Sequence, residues 1–170
     1  MTGAPFDLGP YRFRPAVEAD HPLLRRWLGT PEVARWWGDP DEEAELLRGD
    51  LDDPRMAMWI VEHAGRPFAY IQDYDTRAWP QHHFAGLPPG SRGIDQFIGE
   101  PDMLNRGHGS AFIGAFAGRL LAKGAPAIGT DPDPENLRAR RAYEKAGFTG
   151  DAVHRTEWGP AVLMVRRAAG

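Results

Sequence analysis

Leu104-Asn105-Arg106-Gly107-His108-Gly109-Ser110 is the stretch on which the fold turns. It sits between an apolar run, Gly93 to Gly99, and a strongly helical one, Gly107 to Lys123. The first N–H groups of a helix have no intrahelical partner and carry the positive end of the helix dipole. A glycine-rich approach lets an anion come close to them without a Cβ in the way. Arg106 adds a charge-assisted donor. The stretch therefore reads as a phosphate-holding turn, or as a glycine-rich helix start and nothing more. It is no Walker loop, which needs Gly-x-x-x-x-Gly-Lys-Ser/Thr, and it lacks the glycine spacing of a dinucleotide turn.

Working outward, Tyr11 to Arg14 alternates as a strand, and Glu18 to Leu28 carries a helical apolar stripe. Thr30 caps a helix that Pro31 starts and Gly38 stops. Pro40 to Asp50 reads as another short helix. Met56 to His63 and Pro67 to Tyr74 form a hairpin about Ala64-Gly65-Arg66. Thr76 to Ser91 is a long loop rich in Pro, Gly and His. Phe112, Phe116, Leu120 and Lys123 share a helix face, with Gly124 as the stop. Ala125 to Thr130 is a strand. Asp133-Pro134 starts a helix that runs to Ala146. Phe148 to His154 and Ala161 to Arg166 close as strands. This order predicts an α/β sheet, part antiparallel and part parallel.

The chain has 170 residues, 42% hydrophobic, enough for one domain with its own core. It has no cysteine, which excludes disulfides, thiolate metal sites and a cysteine nucleophile. The first ten residues do not read as a signal peptide, and no apolar run has membrane-helix length. A cytoplasmic protein is expected. The net charge of −4 disfavours nucleic acid and suits a small cationic partner. Lysine stands only at Lys123 and Lys145, so the basic residues are nearly all arginine.

Further on lies Asn136-Leu137-Arg138-Ala139, then Tyr143-Glu144-Lys145-Ala146-Gly147-Phe148. With the glycine turn about 30 residues before, these resemble the acetyl-CoA site of the GCN5-related N-acetyltransferases. Arg92-Gly93-Ile94-Asp95-Gln96, Trp36-Trp37-Gly38, Thr130-Asp131-Pro132 and Gly159-Pro160-Ala161-Val162 resemble the aminoglycoside 6'-N-acetyltransferases of type I in particular. The likeness runs from about Tyr11 to Val165, apart from Thr76 to Pro89, a region that shapes the substrate pocket in the resembling enzymes. The broad family pattern has Gln or Arg where this chain has Leu104.

The resemblance implies one domain over residues 1–170. Its fold would be a mixed, mostly antiparallel central sheet, splayed around an acetyl-CoA cleft and flanked by helices. It implies direct attack of a primary amine on the thioester, with no acyl-enzyme. Asp95 is the expected carboxylate for the amine, or else an aspartate that caps a strand and pairs with Arg92. Tyr143 is the expected acid for the leaving thiolate, or a packed core tyrosine. The donor would lie along Gln96, Phe97, Ile98, Asn105, Arg106, Gly107, His108, Gly109, Ser110, Asn136, Tyr143 and Lys145, with helix capping the other reading of Asn136. Trp37, Asp73, Tyr74, Trp79, Asp95 and Asp131 would face a cationic acceptor; Trp27 and Trp36 belong to the core. His82-His83 lacks a third ligand at metal spacing, so no metal is expected. Other acceptors, in siderophore assembly or at peptide N-termini, and a non-catalytic acyl-CoA-binding module stay open. So do a monomer and a homodimer.

Overall fold

The computed structural model describes residues 3–170. In chain order the elements are β1 (Phe6–Leu8), β2 (Tyr11–Pro15), α1 (His21–Leu28), α2 (Pro31–Trp37), α3 (Pro40–Asp50), β3 (Met56–His63), β4 (Arg66–Asp75), β5 (Arg92–Ile98), α4 (His108–Ala122), β6 (Ala127–Thr130), α5 (Leu137–Lys145), β7 (Val153–Thr156), β8 (Gly159–Val162) and β9 (Met164–Arg167). Seven strands form a mostly antiparallel mixed sheet in the order β1-β2-β3-β4-β5-β6-β9, flanked by helices, and β7-β8 make a separate hairpin. The chain divides into two compact units, one of residues up to Asp73 with Gln96–Arg106, the other of Tyr74–Asp95 with Gly107–Gly170.

In the first unit, β2 pairs antiparallel with β3 from Tyr11↔His63 to Pro15↔Trp59. The β3–β4 turn is Ala64-Gly65, both at positive φ (50° and 78°), the pair of left-handed residues that a two-residue hairpin turn requires. Phe13, Trp27, Ile60, Val61, Phe68 and Tyr70 are fully enclosed. Glu100, also buried, accepts from Arg26 (2.8 Å) and from the Trp27 indole (2.9 Å), so the buried charge and the buried N–H satisfy each other.

In the second unit, β5 and β6 run parallel. Among the described residues their register covers Arg92↔Ile128 and Gly93↔Gly129. Beyond it Thr130 Oγ1 donates to the Ile94 carbonyl at 3.3 Å. β9 adds to the far side of β6 from Thr130↔Met164 to Ala127↔Arg167. Phe112, Ile113 and Phe116 of α4, Tyr143 of α5 and Phe148 fill the core.

Four expectations change. The Glu18–Leu28 stripe is a 3-10 turn over Glu18–Asp20 followed by α1. Thr30 holds the cap position, but its hydroxyl donates to the Trp27 carbonyl at 2.7 Å and caps no helix N–H. Asp133 does not start α5; its carboxylate closes a turn onto Glu135 N–H, and the helix begins after Asn136. The closing strands are shorter and interrupted, because Phe148 turns into the core and Leu163 separates β8 from β9. A short strand before Tyr11, β1, had no expectation attached; three residues are too few to show a period.

Candidate active site

The glycine turn keeps its geometry. Asn105 stands at φ 58°, which asparagine tolerates better than most residues. Gly107 stands at φ 83° as the N-cap of α4, and a Cβ there would meet nothing within 4 Å. No side chain caps the helix and no acid lies in its first turn. Backbone N–H groups of the first turn of a helix have no intrahelical acceptor, and at α4 no side chain supplies one. Ser110 turns its own hydroxyl back to the Gly107 carbonyl (3.3 Å). Arg106 makes only a long contact to the Asp102 carbonyl, 3.5 Å, and keeps the rest of its fork for other partners.

A second cluster lies wholly within the second unit. The Tyr74 ring covers Gly93, where a Cβ would stand 2.5 Å from its Cε2 and 2.6 Å from its hydroxyl. Asp95 follows two residues on, so it shares that face of β5 with Gly93. Burial, then the charges of Asp95 and Asp131 with Tyr143 beyond them, push the Tyr74 phenol well above its ordinary pKa. Tyr74 therefore stays a neutral phenol, within electrostatic reach of Asp95, Asp131 and Tyr143. Trp79 meets its ring edge-on at 5.7 Å and His82 at 5.5 Å.

The loop from Thr76 to Ser91 is a chain of tight turns. Its neck is closed by Thr76, whose N–H and hydroxyl both donate to the Ser91 carbonyl. Its Phe84 is buried against β6, where a Cβ on Gly129 would touch the ring at 3.0 Å. His83 Nε2 lies 2.6 Å from Asp131 Oδ2, with side-chain exposures of 13% and 19%. No metal cluster of three or more such ligands occurs among the described residues.

Tyr143 is 4% exposed and packs edge-on against Phe148, so it is a core tyrosine by burial as well as a neighbour of this cluster. Asn136 Oδ1 accepts from Ala139 N–H at 3.2 Å, so the capping role is realised. Lys145 is exposed at the end of α5. In the first unit, Asp73 is buried, and Phe97 is buried among the rings of Trp27, Trp37 and Tyr70, which leaves only its backbone for a ligand. Gln96, Ile98 and Trp37 are half-buried. Trp36 is not core: it is half-buried beneath the Arg35 guanidinium, 4.7 Å from its ring centroid. The feature absent from the sequence reading is the His83–Asp131 pair. Its signal in the sequence is the histidine doublet in the loop set apart from the likeness above.

Residues 16–156 match the acetyltransferase (GNAT) domain family. The chain is 33% identical over 162 residues to an aminoglycoside N(6')-acetyltransferase type 1 of Klebsiella pneumoniae, covering 88% of this chain and 79% of that one. A kanamycin resistance protein of Rhizobium radiobacter is 44% identical over 79 residues, 46% of this chain and 73% of its own length. The solved structure of AAC(6')-Ib in complex with paromomycin and acetyl-CoA superposes with a TM-score of 0.80 at 32% identity, over 92% of this chain and 93% of that one. Fold, glycine turn and likeness together establish that this chain belongs to the GNAT acetyltransferase family.

Proposed function

We propose that the protein transfers the acetyl group of acetyl-CoA to a primary amine of a polycationic sugar, the 6'-amine of an aminoglycoside, by direct attack on the thioester. The observation that carries this reading is the buried Tyr74 ring lying over Gly93 on the face of β5 that also bears Asp95, with Asp131 within electrostatic reach. Two carboxylates beside a neutral phenol suit a cationic amine that must lose a proton before it attacks. The uncapped, acid-free start of α4 fits the donor's pyrophosphate, with Asn105, Arg106, Gly107, His108, Gly109 and Ser110 as its cradle.

In this reading Asp95 binds the acceptor ammonium and takes its proton. Nitrogen then forms the bond to the acetyl carbon. The backbone of Gln96, Phe97 and Ile98 offers donors to the carbonyl oxygen and the pantetheine arm. The carbon–sulfur bond breaks, Tyr143 gives its proton to the leaving thiolate, and the second proton that the nitrogen sheds on becoming an amide restores the phenol. The NH2 of Asn136, whose oxygen caps α5, and Lys145 line the donor from α5. Trp37, Asp73, Tyr74, Trp79 and Asp131 are the acceptor-facing residues. The catalytic domain spans the chain, works in the cytoplasm, and is a monomer or a homodimer.

The test is thiol release from acetyl-CoA with a panel of aminoglycosides, polyamines and peptides. Saturable release with kanamycin-type acceptors, with the product acetylated at the 6'-amine, supports the reading. Tight acetyl-CoA binding with no release on any aminoglycoside refutes it.

A further inference from the structure

The histidine doublet has chemistry that the acetyl transfer above does not use. A carboxylate only accepts, so the 2.6 Å contact requires a proton on His83 Nε2, donated to Asp131 Oδ2. His82 is fixed the other way round. Its Nδ1 accepts from Phe84 N–H at 3.1 Å, so its proton is on Nε2, which faces the Tyr74 hydroxyl at 3.4 Å. The two rings stack 4.0 Å apart at 28°. Burial and then the neighbouring His83 charge hold the His82 pKa below its ordinary value, against the pull of Asp131. A proton on His82 Nδ1 would also break the Phe84 contact. His83 is therefore the ring of the pair that donates to Asp131.

We infer that His83 is a positioning and specificity-determining residue: its Nε2–H bond to Asp131 Oδ2 fixes that carboxylate for a cationic acceptor. This inference rests on the acceptor reading proposed above. The groups facing His83 are Asp131 on the β6–α5 connection and His82 on its own loop. Through His82 come Tyr74 on β4, Asp95 on β5 and Tyr143 on α5. Phe84 and Trp158, its other ring neighbours at 4.6 and 6.4 Å, do not titrate. Neither needs to move for the pair to work. An acceptor ammonium reaching Asp131 meets a carboxylate whose orientation the His83 bond has already set.

The experiment measures the acceptor kcat and KM of wild type, His83→Gln and His83→Ala with one aminoglycoside. Glutamine keeps a neutral donor for Asp131. His83→Gln stays within about twofold of wild type, and His83→Ala loses about tenfold in acceptor KM through a misplaced Asp131. The KM for acetyl-CoA is unchanged in both variants, which separates a misplaced carboxylate from a general loss of structure. An alanine variant indistinguishable from glutamine, or one whose acetyl-CoA KM rises in step with its acceptor KM, overturns the inference while the acceptor reading stands. A wild type that acetylates no polycationic amine overturns both.

Discussion

Gly93→Ala isolates the contact between β5 and the Tyr74 ring. The added Cβ would lie 2.5 Å from Tyr74 Cε2 and 2.6 Å from its hydroxyl, about 1 Å short of ordinary contact at 3.4 Å. The ring has little room to yield, being 5% exposed and bounded by Trp79 and His82. Overpacking of a close-fitting site costs about 1–3 kcal/mol, and a rigid ring caught at several atoms belongs at the upper end, about 3 kcal/mol. For a domain of this size that is a drop of about 6–12 °C in Tm. The control is Tyr74→Leu, because Cε2, Cζ and the hydroxyl all lie beyond the reach of leucine. In that background Gly93→Ala meets none of these atoms and is expected to cost under about 1 kcal/mol, since alanine suits a strand better than glycine does. A double-mutant cycle by denaturant unfolding should return a coupling of at least about 2 kcal/mol. Equal costs in the two backgrounds would refute the reasoning that glycine stands at 93 to make room for Tyr74.

Asp95→Asn should lower turnover by about 10²–10⁴-fold while acetyl-CoA still binds, as followed by thiol release and by calorimetry; unchanged turnover rejects Asp95 as the base. Asn136→Ala removes the α5 cap and should cost about 1 kcal/mol, or about 2–4 °C in Tm; a raised acetyl-CoA KM with no loss of Tm would instead make it a donor contact only. Tyr74 keeps its proton to higher pH folded than unfolded, so its contribution is complete below about pH 10 and fades as pH rises from there toward its raised folded pKa. Wild type should therefore lose up to about 1.4 kcal/mol per pH unit in that window by this route, and Tyr74→Phe should lack that component in alkaline urea titrations; identical alkaline slopes would show that the phenol is not held up by folding.

Much of this was legible because local chemistry decided it. Gly107 at positive φ, the Ala64-Gly65 turn and the α4 stripe of Phe112 and Phe116 are set by residues close in sequence. Asp131 could be named because strand ends in such sheets carry chemistry, and Asp95 because the resembling enzymes carry a carboxylate on that strand. What sequence could not supply were choices between near-equal local options. Asp133 and Asn136 are both good caps, and tertiary packing gave the helix to Asn136. Trp36 and Trp37 are adjacent, and only the fold assigns Trp37 to the ring cluster with Phe97 and leaves Trp36 to Arg35. The His83–Asp131 contact spans 48 positions, and no spacing rule reaches that far.

One side chain of β9 ties the two helices of the second unit to the sheet. Arg166 Nη1 donates to the Gly114 carbonyl in α4 at 3.0 Å and to the Ala146 carbonyl at the end of α5 at 3.1 Å. It thereby answers the negative end of the α5 dipole and joins both helices to the strand beside β6. During synthesis α4, β6 and α5, with Asp131 and Tyr143, leave the ribosome before that clasp exists. A nascent chain stalled before residue 166 holds those groups without the bond that locks their helices, and acetyl transfer should switch on only when β9 has emerged.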